Sequence, residues 1–516
     1  MRSTFMGLEA SKRGLFTQQS ALYTTGHNIS NANTLGYSRQ RVNMQATTGY
    51  PMAGLNSPTY PGHLGTGVEA GSIQRIRDQF IDRQYRQETN KLGYWESTAK
   101  SINQMEDIMT EPSEFGINQA FTDFWKSMED VIDNPKDTAG RQVLISKGQA
   151  LAESFNYMDT QLKLIQGNIG NELNVSTEKV NSILKQIAAI NKQIQAVEPN
   201  GYVPNDLYDA RDVLVDELNE YIPVSISMVK SGGNANAIAE GTMTIKFKPA
   251  NGGDEVTLVE GRNYASLAAV DANGTAVDGD VDDQATNGYA EFGAINISDL
   301  GDPPADAVAN AANTINYNNL ETGKGKLLSL IDAYGHSGGQ GLYPEMLKKL
   351  DALVADFVTA FNNQHTAGFD SDGNQGVDFF TGTTAQDIKA AISDPKKVAA
   401  SGVAGEEGNN DNIRLLAALQ SGTRPNLQNA TFQTYYKSLV GQLGVKGQEA
   451  ITSAYNSATL HLQIANSRAS QSSVSLDEEM TNLITFQQAY NANARMITVV
   501  DETLEKIING MGRVGL

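Results

Sequence analysis

Phe5-Met6-Gly7-Leu8-Glu9-Ala10-Ser11-Lys12-Arg13-Gly14-Leu15-Phe16-Thr17-Gln18-Gln19-Ser20-Ala21-Leu22 sets the reading of this chain. Phe5, Leu8, Leu15, Leu22 and Ile29 fall on alternating three- and four-residue steps, with Lys12, Gln19 and Gly26 at the intervening positions. The same spacing returns at the other end through Leu476, Met480, Leu483, Tyr490, Ala494, Ile497, Leu504 and Ile508, broken by Gln487 and Asp501. A seam this narrow is the edge of a coiled coil, not the broad apolar stripe of a globular core helix. Each end therefore requires a partner helix. That partner is either the other end or a neighbouring subunit, and the spacing alone leaves both open.

Working inward, the first helix is expected from Thr4 to Ser30. It stops in the polar turn Asn28-Ile29-Ser30-Asn31-Ala32-Asn33-Thr34-Leu35-Gly36-Tyr37, where asparagine side chains and a glycine end helices. Strands are expected over Tyr37–Gln45 and Gly67–Ile76, with a Gly-, Pro- and Tyr-rich segment between them. A helix starts near Asp78, with Ile81, Tyr85, Leu92, Trp95, Ala99, Ile102 and Met109 at heptad spacing. After the break at Glu111-Pro112 a shorter helix carries Phe121, Phe124, Trp125 and Met128, which read as bundle core. Beyond Asn134-Pro135 a very long helix runs to Val197, with a stutter between Ile165 and Leu173. Either the molecule is elongated or this helix breaks at Gly167 or Gly170. From Val229 to Leu320 strand and turn signals dominate. Helix returns over Tyr343–Asn363, gives way to turns as far as Ile413, and runs from Leu427 to the end.

The fold class is thus mainly α with a β-rich insert (α+β). At 516 residues, three or four domains are expected. The simplest arrangement nests them, with the termini paired and the insert farthest away.

A net charge of −20 argues against nucleic acid as a partner, because phosphate contacts need a basic surface. Residues 1–90 carry nine Lys/Arg against five Asp/Glu, whereas 229–320 carry four against thirteen, which marks the insert as an acidic, solvated module. The chain has no cysteine, so disulfides, thiolate metal sites and a cysteine nucleophile are impossible. No run of about 18 apolar residues offers a membrane span, and the N-terminus lacks the apolar core of a cleaved signal.

No motif calls for a catalytic site, a cofactor or a metal. Asp370-Ser371-Asp372-Gly373-Asn374-Gln375-Gly376 begins like a calcium loop. It then places Gln375 where the glycine belongs and Thr381 where the bidentate glutamate belongs, so a hairpin turn is expected. Asp278, Asp280 and Asp282 fit less well still. Gly65-Thr66-Gly67-Val68-Glu69-Ala70-Gly71 misses the dinucleotide fingerprint by one residue and reads as a tight turn before a strand. Gly323-Lys324-Gly325-Lys326 lacks the spacing of a phosphate loop. The histidines (His27, His63, His336, His365, His461) are dispersed, and none forms a helical zinc pair.

Gly7-Leu8-Glu9-Ala10, Gln18-Gln19-Ser20-Ala21-Leu22 and the stretch from Asn28 to Gln40 resemble the N-terminal signature of the bacterial flagellar rod, hook and hook-associated proteins. The residues that carry it are Asn28, Asn31, Asn33, Thr34, Gly36, Tyr37, Ser38, Arg39 and Gln40. Leu483-Ile484-Thr485-Phe486-Gln487-Gln488-Ala489-Tyr490-Asn491-Ala492-Asn493-Ala494-Arg495, with Gln488, Tyr490 and Asn493, is similar to the matching C-terminal signature. Tyr37-Ser38-Arg39-Gln40 and the block Asn205-Asp206-Leu207-Tyr208-Asp209-Ala210-Arg211-Asp212 to Asp216-Glu217-Leu218 resemble the hook-associated branch of that family.

The resemblance implies a non-enzymatic structural subunit at the hook–filament junction. It would be exported through the flagellar type III channel without a cleaved signal and would end up extracellular. The partners implied are a ring of identical subunits, the hook protein, a second hook-associated junction protein and through it the filament, and a cytoplasmic export chaperone at the C-terminal region. Three nested domains follow: 1–65 with 471–516 as an inner coiled coil, 66–228 with 321–470 as an elongated helical domain, and 229–320 as the outer β-rich domain. A hook or distal rod protein of the same family is the nearest alternative. A secreted helical adhesin or ligand using the β insert is the alternative from another class.

Overall fold

The computed structural model describes residues 5–50, 64–109, 116–247, 249, 255–277, 289–320 and 324–510. Most of the Gly-, Pro- and Tyr-rich segment expected between the first two strands, the expected break at Glu111-Pro112, His63, Gly323 and the Asp278, Asp280 and Asp282 alternation lie outside these residues.

The first helix, α1, spans Met6–Ser30. The polar turn that follows contains Gly36 at φ 77°, a left-handed value that glycine adopts without a steric penalty. An added Cβ there would sit 2.1 Å from Val213 Cγ2. The chain then forms an antiparallel hairpin, β1 (Gln40–Ala46) and β2 (Val68–Arg75), in register from Gln40–Arg75 to Ala46–Val68 with one irregularity at Asn43/Met44. An isolated two-stranded hairpin is marginal in water, and this one is supported by α1. The Thr17 hydroxyl donates to Val68 O at 3.2 Å, and Gly67 closes to where a Cβ would lie 3.2 Å from Ala10 Cα.

The body is built on α2 (Gln79–Met109), α3 (Ile117–Asp133), α4 (Thr138–Val197) and α5 (Asn205–Tyr221). Asp137 caps α4 by accepting from Ala139 N at 3.0 Å. The 60-residue α4 runs unbroken for about 90 Å, which resolves the alternative left by Gly167 and Gly170. Both glycines are buried. Their cost in helix propensity is offset by tertiary packing along the helix.

Two antiparallel sheets lie along the second half of α4. The first, β3 (Val224–Val229), β4 (Thr242–Phe247), β5 (Val256–Glu260) and β6 (Asn263–Tyr264), is ordered 3-4-5-6. The second is β7 (Leu267–Asp271), β8 (Phe292–Ile297) and β9 (Asn313–Asn316). Amides on α4 continue the strand bonding. Asn191 donates to Met243 O at 2.8 Å and accepts from Met243 N at 3.0 Å, and Asn181 does the same with Leu267 O at 2.8 Å and Leu267 N at 2.7 Å. The β-rich region is therefore not detached: Met243, Ile245, Leu258 and Ile295 belong to the same apolar core as α4. It also takes in β3, which starts at Val224, upstream of the expected boundary at 229.

The chain returns through α6 (Tyr317–Leu320), α7 (Lys326–Tyr334), α8 (Leu342–His365), the short pair β10 (Phe380–Thr381) and β11 (Lys389–Ala390), and α9 (Asp411–Ala418). Phe121, Phe124, Trp125 and Met128 are buried as expected, meeting Phe357, Phe361, Phe380 and Phe432 in an aromatic cluster. Asp370 Oδ1 accepts from Asp372 N at 2.9 Å and Asn374 N at 2.8 Å, so its carboxylate closes a turn. The final helical stretch is two helices, α10 (Phe432–Ser472) and α11 (Leu476–Gly510), where one helix from Leu427 was expected. Ser473 is extended at ψ 159°, which separates them. Three acids, Asp477, Glu478 and Glu479, occupy the first turn of α11, where they complement the helix dipole.

Candidate functional site at the base of the terminal helices

α1 and α11 pair antiparallel. Asn28 meets Glu479, and a Cβ on Gly14 would meet Asn493, one on Gly7 Val500, so equal steps down one helix match equal steps up the other. Gly14, Ala21 and Asn28 recur every seven residues and are buried. The face that α1 turns to α11 is thus small and polar. It lies one residue, roughly 100° of rotation, from the apolar seam expected at Leu8, Leu15, Leu22 and Ile29. Those four are half-buried and Phe5 is exposed. On α11, Leu483, Tyr490, Ala494, Ile497 and Leu504 are half-buried, whereas Leu476, Met480 and Ile508 are exposed. The polar seam positions Gln19, Gln487 and Asp501 are all exposed.

Where the pair meets the body, Asn28 uses all four hydrogen-bonding positions of its amide. Its oxygen accepts from Tyr37 OH at 2.8 Å and Gln40 N at 3.0 Å, and its nitrogen donates to Gln40 O at 2.8 Å and Glu479 Oε2 at 3.1 Å. Arg39 Nε donates to Glu479 Oε1 at 2.7 Å and Arg39 NH1 to Glu478 Oε2 at 2.5 Å. Glu479 is 2% exposed and is the only buried residue of α11 among those described. Burial, with the carboxylates of Asp206, Asp209 and Glu479 nearby, pushes the Tyr37 phenol up, so it stays protonated as a donor.

Below this point an Arg–carboxylate network joins the hairpin to α5, α2 and α10. Arg75 NH1 bonds Asp209 at 2.7 Å and Asp212 at 2.9 Å, and Arg75 NH2 reaches Glu240. Arg77 bonds Asp212 at 2.6 Å and Asp82 at 2.8 Å. Arg86 bonds Asp216 at 2.7 Å and Asp212 at 3.1 Å. Arg468, near the end of α10, reaches Asp82 and Asp216, each at 2.7 Å. Burial would raise the Asp212 carboxyl, but the guanidiniums of Arg77, Arg75, Arg86 and Arg211 outweigh it and hold the group well below the usual carboxylate range. Ser38 N donates to Asp209 at 3.0 Å and Gln40 Nε2 to Asp206 at 3.1 Å, tying the turn to α5.

The signature residues therefore divide. Asn28, Tyr37, Ser38, Arg39 and Gln40 form the joint. Asn31 steadies the turn by donating to His27 O at 3.1 Å and accepting from Thr34 at 3.2 Å. Asn493 packs on Gly14 and donates to Ala489 O at 2.9 Å. Asn33 and Gln488 are exposed. Sequence reading missed Glu479, Arg75, Arg77, Arg86 and Arg468. The available signal was the row Asp206, Asp209, Asp212 and Asp216 on one face of α5, which calls for cations from elsewhere in the chain.

No group of His, Asp or Glu among the described residues could hold a metal ion. The site is a joint, closed at Asn28, Arg39 and Glu479, that fixes the direction of the terminal pair, with apolar side chains left open along α1 and α11. Phe16, Tyr23, Ile484, Met496 and Val499 are all exposed.

Residues 102–380 match the family described as the flagellar hook-associated protein FlgK helical domain, and residues 465–510 match the flagellar basal body rod FlgEFG protein C-terminal family. The chain is 40% identical over 529 residues to flagellar hook-associated protein 1 of Bacillus subtilis (strain 168), covering 99% of each. It is 27% identical over 592 residues to the protein of the same name from Escherichia coli (strain K12), covering 96% of this chain and 98% of that one. The fold is similar to that of the flagellar hook junction protein FlgK from Burkholderia pseudomallei. The TM-score is 0.61 at 15% identity, over 76% of this chain and 100% of that one.

Proposed function

The chain belongs to the family of flagellar hook-associated protein 1, and from that premise we propose that it is the axial subunit joining hook to filament. It is a structural component of the flagellum and acts by packing, with no reaction to catalyse. Its outward route is the flagellar type III channel without a cleaved signal, and its final place is outside the cell.

The observation that carries this reading is the joint at Glu479. Asn28 and Arg39, from one signature, hold the start of α11, which carries the other. That joint sets the terminal pair as one arm on the body, with its remaining apolar side chains available to neighbouring subunits. Copies of this chain supply those neighbours in a ring, with the hook protein on one side and a second hook-associated protein, and through it the filament, on the other. Before export a cytoplasmic chaperone covers the C-terminal region. Ordering the arm costs conformational entropy, which packing in the array offsets. The functional division is 1–65 with 471–516 as the inner arm, 66–223 with 321–470 as the helical body and 224–320, which takes in β3, as the outer module.

Electron microscopy of cells lacking the chain tests this. Hooks without filaments, with filament protein lost to the medium, are expected. Normal filaments on those hooks would overturn the assignment.

A further inference from the structure

α4 and α10 each carry a second line of residues at three- and four-residue steps, turned away from the core that the helix buries. On α10 the line runs from Lys437 through Ile451, Tyr455 and Ala458 to Leu462, with Tyr455 72% and Leu462 61% exposed. On α4 it runs from Glu153 through Tyr157, Leu164 and Val175 to Glu178, with Val175 64% exposed. From Ala450 to Ser467, α10 contains no Asp, Glu, Lys or Arg, in a chain of net charge −20. Surface of this kind on an acidic protein is where two copies can meet without charge repulsion, and rows of exposed apolar side chains mark such contacts.

Charge decides which line meets which. Packing α4 on α4 would bring glutamate-bounded lines together, and packing α10 on α10 would leave Lys437 with no acid on the line it meets. Setting α10 against α4 pairs the lysine with a glutamate. The antiparallel register that places Lys437 opposite Glu178 also places Ile451 opposite Leu164 and small Ala458 opposite large Tyr157, with Val440, which partly packs on its own core, opposite Val175. The parallel register, Lys437 opposite Glu153, would instead set polar Gln448 on Leu164 and Thr459 on Val175.

We propose that α10 of one copy packs antiparallel along α4 of the next, in a heterologous contact between bodies that is separate from the terminal helices. This rests on the reading that copies of the chain assemble side by side. A heterologous contact repeats into a ring or a helix, whereas a two-fold contact stops at a dimer.

Because the chain has no cysteine, introduced pairs report without background. The full-length double variant Ile451→Cys with Leu164→Cys, expressed in place of the parent, is expected to give a reducible ladder of multimers when isolated flagella are oxidised. The out-of-register pair Leu462→Cys with Val175→Cys is expected to stay monomeric. Dimers from Ile451→Cys alone, a ladder only from the out-of-register pair, or monomer throughout would each overturn the contact. A parent chain absent from the flagellar fraction would instead overturn the junction reading, and this inference with it. If the double variant is not incorporated, the charges carry the test. Lys437→Glu should lower incorporation several-fold and added Glu178→Lys should restore it; unchanged incorporation in Lys437→Glu would overturn the contact.

Discussion

Arg39 and Glu479, 440 residues apart in sequence, meet at 2.7 Å at the point where the two ends of the chain join the body. The ion pair carries one strand of a joint whose other strand is Asn28, and both close on the same buried carboxylate.

Removing that carboxylate should loosen the arm alone. Glu479→Gln keeps the volume but leaves Arg39 with only Glu478, and hydrogen bonds to charged groups contribute about 2 kcal/mol each. Asn28→Asp should cost more, because it loses both donors and sets a second carboxylate against Glu479. Hydrogen exchange should rise along 476–490 in both variants and stay unchanged in α4. Equal loss of protection in α4 would place the joint inside the body's cooperative unit.

Asp212 gives the network a pH signature. A carboxylate whose folded pKa is depressed adds stability above its unfolded value, near 3.8, and loses it as the pH falls through the folded value. Asp212→Asn should therefore destabilise the body by about 3 kcal/mol at neutral pH, as expected for breaking a buried ion pair. Denaturant melts should show the gap to the parent narrowing as the pH is taken below 3.8. A gap independent of pH would mean that Asp212 acts through shape and not charge.

Gly14 tests the face on which the helices pair. Its missing Cβ would lie 2.8 Å from Asn493 Oδ1, so Gly14→Leu should splay α1 from α11 and reduce swimming. Asn493→Gly in the same chain should restore part of the loss. If Leu15→Ala proved far more damaging than Gly14→Leu, the apolar seam rather than the small polar line would be the pairing face.

How much of this was legible in the sequence depended on the kind of signal. Helical period and turn chemistry placed α1, β1, β2, α2, α3, α4 and α8, because those signals are local, whereas the shorter α5, α7 and α9 were not read as helices. The seam at Leu8, Leu15, Leu22 and Ile29 marked α1 as a helix that needs partners, but apolar spacing does not say which partner takes which face. α11 takes the line of Gly14, Ala21 and Asn28, and a line of small and polar residues gives no hydrophobic signal. The joint was half visible: Asn28 and Arg39 stood in a recognisable turn, while Glu479 gave no signal, because the break that makes it part of a helix start falls inside a stretch that reads as one continuous helix. Gly167 and Gly170 read as possible breaks because their burial is set by neighbours distant in sequence.

The central claim is that the terminal pair is an assembly arm on a body that folds without it. The most direct measurement is the amount of chain recovered in isolated flagella, and the number of filaments, in cells whose only copy lacks residues 476–510. The account predicts a soluble chain with its body folded, none of it in the flagella, and hooks without filaments. Recovery of the truncated chain in flagella that bear filaments would contradict it.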